Sequence, residues 1–245
     1  MGTRVALVLV AVVGVVAMAL GPVAGTRAGT ALYPDLRTLR PTNLAFDRVA
    51  FADGTTHHVL RFANTVWNAG QGRLELEGNP RPHKKNAPIY QNLYDAPVGG
   101  SHVSHKQIST DILYHSGHRH YRFQNFASYL LLQKDAGGVY QATTKKGTKT
   151  SFCIMDTGRV SGSYSAQYTT CGQTLQGLTV GWGDTYGAYL AEQWIDLGTG
   201  PLANGTYAVQ STADPANKLA ESNDGNNAAR TCFTVSSGAI TVIAC

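Results

Sequence analysis

Beyond residue 28, no segment of the 245-residue chain carries the apolar repeat of an amphipathic helix. What it carries instead is a series of short runs of period two, and that period belongs to strands. Val59, Arg61 and Ala63 alternate with Leu60, Phe62 and Asn64 in the stretch His57–Asn64. The turn Asp53-Gly54-Thr55-Thr56 sets that stretch against Arg48–Ala52 as a hairpin. Further strands are expected at Arg73–Glu77, Asp111–Tyr114, Phe126–Leu132, Ser151–Met155, Gln193–Leu197 and Thr206–Thr212. A last hairpin joins Thr231–Val235 to Ile240–Ala244 through Ser236-Ser237-Gly238. Charged residues make up only 14% of the chain and there are 27 glycines, a balance that suits short strands and many turns. The expected fold class is all-β, a β-sandwich core with long loops. Asn79 to His105 has weak periodicity, and strand signals resume after it; it is expected to be a functional loop or lid.

The N-terminus points to export. Arg4 precedes Val5–Leu20, which is apolar throughout apart from one glycine, and Gly21, Pro22 and small residues follow. This reads as a secretory signal over residues 1–24, cleaved between 24 and 28. An uncleaved anchor is the alternative, since the run approaches the ~18 residues needed to span a bilayer; Gly21 and Pro22 break it and favour cleavage. Residues 33–245 then form one domain, secreted and free of the membrane. The formal charge is +5 with Arg4 included, so about +4 after cleavage, and Lys145, Lys146 and Lys149 are its densest cluster. That gives nucleic-acid binding no footing. Four cysteines in an exported chain imply two disulfides. Of the three pairings, Cys153–Cys171 and Cys232–Cys245 are expected, the second closing the last hairpin. Asn204-Gly205-Thr206 fits the glycosylation pattern but reads better as a glycine turn before a strand.

His118-x-His120 is the sharpest chemical signal. Residues two apart on a strand share a face, so two imidazoles can share a metal, and imidazole suits copper. The competing reading is a pair of ordinary half-buried histidines; His115, three residues upstream, adds weight to the metal. The next residue on that face is Arg122, which stays protonated and has no lone pair to offer. From the residues alone this is a two-histidine half-site beside a fixed cation.

The order of motifs resembles the lysyl oxidase family, including its bacterial members. The resemblance runs from about Tyr33 to Cys245. It rests on Tyr33-Pro34-Asp35-Leu36-Arg37-Thr38-Leu39, Leu60-Arg61-Phe62-Ala63-Asn64, Gln91-Asn92-Leu93-Tyr94-Asp95, Lys149-Thr150-Ser151-Phe152-Cys153, and Gly183-Asp184-Thr185-Tyr186-Gly187 followed by Gln193-Trp194-Ile195-Asp196. It implies a copper amine oxidase whose quinone cofactor, lysine tyrosylquinone, is made from its own side chains. Lys149 and Tyr186 correspond to the cross-linked pair, His118 and His120 to the first two copper histidines, and His115 to a flanking histidine. The third copper histidine falls on Arg122, so the chain departs from the pattern at a metal ligand. Lysine must add to the oxidised ring as a neutral amine, and burial or a nearby cation such as Arg122 supplies it. Asp184, two residues from Tyr186 on an extended segment, is the candidate base.

Each position has a plainer reading. Lys149 can be a surface lysine of a polar loop, Tyr186 and Trp194 core aromatics, and Asp184 a turn aspartate holding the Gly183 bend. For Trp194 core packing is the expectation. The function implied by the resemblance is oxidation of primary amines, including peptidyl lysine, by oxygen to aldehydes, with release of ammonia and hydrogen peroxide. The alternative is a non-catalytic extracellular binding module on the same fold, its copper site lost through Arg122. The strand–turn–strand of Asn204–Val235, which resembles Ig-like adhesion modules, supports that alternative.

Overall fold

The computed structural model describes residues 1–2, 29–78, 88–109, 112–115, 120–149 and 151–245, with the backbone alone at 109, 112–115 and 120. Apart from its first two residues, the expected secretory signal lies outside the described residues. Among the described residues there is no α-helix, and no helix is long and apolar enough to cross a membrane. The fold is all-β.

Among the described residues eighteen strands, numbered in chain order, form four sheets. The first is built around the 13-residue β3 (Thr56–Asn68), which pairs with β1 (Leu36–Thr38), β2 (Thr42–Ala50), β14 (Trp182–Tyr186) and β15 (Trp194–Gly198); β12 (Gly158–Arg159) extends it from β14. The length of β3 follows from its composition. Val59 and Ala63 are buried on one side of the strand and Leu60 and Phe62 on the other, so neither face can lie against solvent.

The second sheet has the order β13 (Leu175–Leu178), β4 (Leu74–Gly78), β5 (Ile89–Tyr94), β6 (His102–Ser109). Here the structure corrects the sequence reading. Residues 89–94 of the supposed long loop pair in a hairpin with 102–109, a strand that begins inside the loop's expected bounds; 79–87 lie outside the described residues. The register of this pair shifts at Ile89/Tyr90 and again at Leu93/Tyr94. Each shift moves successive side chains to the other face and erases the period-two signal.

The third sheet is small: β7 (Ile112–His115), β8 (His120–Gln124) and β11 (Ser151–Phe152) in the order β11-β8-β7. The strand expected over Ser151–Met155 is only two residues long, because Ile154 and Asp156 turn away to bond with the Gln167–Thr179 region. The fourth sheet has the order β10 (Tyr140–Lys146), β9 (Ala127–Lys134), β16 (Gly205–Ala213), β17 (Ala228–Ser236), β18 (Ala239–Ile243). A 3-10 turn at Asp224–Asn226 lies in the connection between β16 and β17.

One apolar cluster joins all four sheets, with Phe62 from the first, Leu76 from the second, Phe123 and Phe152 from the third and Tyr129 and Phe233 from the fourth. Each such side chain contributes about 2–3 kcal/mol by leaving water. The disulfides are Cys153–Cys171 and Cys232–Cys245, with Cα separations of 5.8 and 5.2 Å. The second ties β17 to the chain end beyond β18, as the hairpin reading required.

Candidate functional site

The segment carrying Lys149 is fastened at three points. Gly147 donates its N–H to the Tyr129 carbonyl and bridges to Ile195, and Thr148 donates to the Trp194 carbonyl. A Cβ at Gly147 would stand 2.6 Å from the Tyr129 ring, so only glycine allows the approach. The segment therefore runs close over β9 and β15 and delivers Lys149 inward. The residue is 8% exposed. The ammonium lies 4.9 Å from the centroid of the Tyr186 ring and 5.4 Å from that of Phe152. The surface-lysine reading of Lys149 does not describe this environment.

Tyr186 ends β14, paired with Asn64 of β3, and Asp184 is paired with Val66 two residues earlier. Strand alternation puts both on one face, with exposed Thr185 on the other. The Tyr186 hydroxyl donates to the Cys153 carbonyl at 2.6 Å, and its ring meets Phe152 edge-on. Asp184 is 3% exposed, and its Oδ2 has no hydrogen-bond partner. Burial pushes its carboxyl up to about 8, against smaller opposing effects of the Tyr186 hydroxyl and the Met155 N–H. Burial and the Asp184 carboxyl raise the Tyr186 phenol. Burial first, and then the charge of Arg122, hold the Lys149 ammonium below the ordinary lysine range; Glu192 and Asp184 act the other way. The site thus shifts Lys149 toward the neutral amine and Asp184 toward the protonated acid, around one phenol ring.

Three further polar side chains belong to this neighbourhood. Asn64, Tyr129 and Gln193 are buried, and Asn64 Oδ1, the Tyr129 hydroxyl and both polar atoms of Gln193 lack hydrogen bonds of ordinary geometry. Burial raises the Tyr129 phenol, Gln193 and Asn64 lower it, and the nearby Asp184 charge raises it. A trace of Asn64 was present in the sequence: it continues the parity of Leu60 and Phe62, a polar residue on an apolar face. Beside the site, the Arg61 guanidinium lies 4.6 Å over Trp194 and donates to the carbonyls of Ala188 and Leu190, fixing the loop after β14. Trp194 is the buried core aromatic it was expected to be.

The histidine cluster is described only in part. His118 lies outside the described residues, and His115 and His120 are described by backbone alone. Their strands pair His115 directly with His120 and Leu113 with Arg122. Residues directly opposite in an antiparallel pair share a face. The register sets residues 115 and 120 directly opposite one another, with residue 122 two positions further along β8. Arg122 itself is half-buried on β8, between buried Tyr121 and Phe123. His102 and His105 are engaged on the β5–β6 hairpin: His105 stacks on Tyr90 with its Nδ1 2.7 Å from Asn92 Oδ1, and His102 packs against Tyr94. No group of three histidine, cysteine or acidic side chains among the described residues can hold a metal.

The lysyl oxidase family model matches residues 93–245, more than half of the chain. Lysyl oxidase homolog 4 of Mus musculus is 36% identical over 120 residues, which are 48% of this chain and 15% of that protein. Protein-lysine 6-oxidase of Homo sapiens is 35% identical over 118 residues, 48% of this chain and 26% of that protein. The same enzyme of Sus scrofa is 34% identical over 118 residues, 44% of its length. The similarity spans less than half of each of these relatives. The model match, together with an all-β fold that packs the lysine of one motif against the tyrosine of another, settles the kinship: the chain belongs to the lysyl oxidase family.

Proposed function

We propose that the protein is a secreted amine oxidase acting on primary amines, lysine-bearing proteins among them. The observation that carries this reading is the placement of Lys149 Nζ 4.9 Å from the Tyr186 ring with Asp184 alongside. Copper with oxygen would supply the oxidation of the tyrosine ring to the quinone that the family uses. His115, His118 and His120 would hold the metal, three imidazoles of the kind copper accepts. The rest falls to the chain's own groups. Burial and Arg122 shift Lys149 toward the neutral amine that addition to a ring requires. The Cys153 carbonyl fixes the Tyr186 hydroxyl and hence the ring's tilt. Asp184 is in place to take a proton from the substrate carbon beside the amine, which needs its ionised form. The apolar leader at Val5–Leu20 supports export of residues 33–245 as the working domain.

Arg122 favours a second reading, a non-catalytic binding module. Peroxide release from a primary amine by copper-supplied protein separates the two. The oxidase reading expects release that His120→Ala abolishes and that Arg122→His changes only modestly. No release from the natural chain, with a large gain on Arg122→His, selects the binding module.

A further inference from the structure

The same geometry has a use before any cross-link is made. Lys149 is a buried amine with no salt bridge to a described carboxylate, walled by the rings of Tyr186 and Phe152. A fixed cation, Arg122, acts on it from β8; the acidic groups that act on it are Asp184 from β14 and Glu192 from the loop before β15. Asp184 has a carboxylate oxygen free of any hydrogen bond, and it keeps its proton up to about pH 8. A lysine desolvated against apolar walls and next to another cation is the arrangement that makes a lysine nucleophilic toward carbonyl carbon. Imine formation also needs an acid to carry away the carbonyl oxygen, and Asp184 is the one buried acid beside this amine among the described residues.

We infer that the chain lacking the Lys149–Tyr186 cross-link captures small aldehydes, with Lys149 Nζ forming a reversible imine and Asp184 serving as the acid. The Nζ lone pair forms the C–N bond while the carbonyl π pair moves to oxygen, which takes a proton from Asp184. The nitrogen's first proton passes through the Asp184 carboxylate to the carbinolamine hydroxyl, the C–O bond breaks and releases water, and the nitrogen's second proton returns to the Asp184 carboxylate. No oxidant or reductant is consumed. The aromatic walls favour an aldehyde with an apolar substituent, the product class of primary amine oxidation.

The proposal concerns metal-free protein, so it stands or falls apart from the oxidase reading. Full-length protein produced without copper is incubated with propanal and sodium cyanoborohydride at neutral pH, and alkylation of each lysine is followed by peptide mapping. Lys149 is expected to be alkylated faster than exposed Lys106 and Lys146, because the weakened hold of its amine on a proton leaves more of it neutral. Arg122→Gln should move the rate–pH curve of Lys149 toward the alkaline side, since removing a cation restores the amine's affinity for its proton. Asp184→Asn should slow capture, an effect that mere packing would not produce if the variant is at least as heat-stable as the natural protein. Alkylation of Lys149 no faster than that of Lys106 and Lys146 in folded natural protein overturns the proposal. So does an Arg122→Gln curve that does not move.

Discussion

The β16–β17 hairpin and the β14 neighbourhood sit in one molecule on opposite terms. The hairpin pairs without interruption from Gly205–Val235 to Thr212–Ala228, and its inward side chains, Tyr207, Val209, Phe233 and Val235, are apolar or aromatic. Around β14 the strands are short, two residues in β11 and two in β12, and the buried side chains include Lys149, Asp184, Asn64 and Gln193. Burying such groups without full hydrogen bonding costs free energy, and surplus stability elsewhere must offset it. The difference teaches where this fold draws its stability and where it gives some up to bury polar groups.

The sharpest break between the regions comes from truncating the hairpin core. Phe233→Ala should destabilise the protein by about 3–5 kcal/mol, read from urea unfolding, while leaving the Lys149–Tyr186 contact in place in the folded fraction. An effect under about 1 kcal/mol would show that the hairpin is not the scaffold. Next, Asp184→Asn should stabilise the protein at alkaline pH by several kcal/mol at most. The sign follows from the raised carboxyl, about 8 in the fold against 3.8 ordinarily. Below about pH 4 both states hold the proton and nothing is lost. As pH rises toward 8 the unfolded chain releases its proton first, so stability falls across that window. The thermal midpoint of the natural protein should therefore drop across that window more steeply than that of Asp184→Asn. Equal slopes would remove the buried acid from the account.

Opening the Cys232–Cys245 loop with a Cys245→Ser change should cost about 3 kcal/mol, the value for a loop near 15 residues, measured by denaturant titration under matched conditions. The smallest effect concerns the border between the two regions. Arg61→Ala removes two hydrogen bonds to the loop after β14 and the contact over Trp194. A loss of about 1–2 kcal/mol is expected, with faster amide exchange at residues 188–193. Unchanged exchange there would mean that Arg61 does not hold the loop.

The contrast also explains what the sequence made legible. The last hairpin was readable because its alternation is unbroken and a Gly-containing turn divides it; both disulfides followed. The β5–β6 hairpin was not, because its two register shifts destroy the period that the eye follows. Lys149, Tyr186 and Asp184 could be named only through the family resemblance, since Lys149 stands in a polar stretch that reads as surface. Its burial comes from Gly147 approaching Tyr129, a contact between residues 18 apart that no local pattern encodes. Arg122 was visible as a departure, and its charge was expected to bear on Lys149; the fold brings it within electrostatic reach. Asn64 left only the trace of its parity with Leu60 and Phe62, and Gln193 passed as a strand residue because nothing local shows that its polar end turns inward.

The central claim is that this site makes its own cofactor although residue 122 is arginine. Peptide mapping by mass spectrometry on protein secreted into copper-containing medium tests it most directly. The account predicts a cross-linked species joining the Lys149 and Tyr186 peptides, absent from protein made without copper. Recovery of both peptides unmodified from fully copper-supplied protein would contradict it and leave the chain a non-catalytic member of its family.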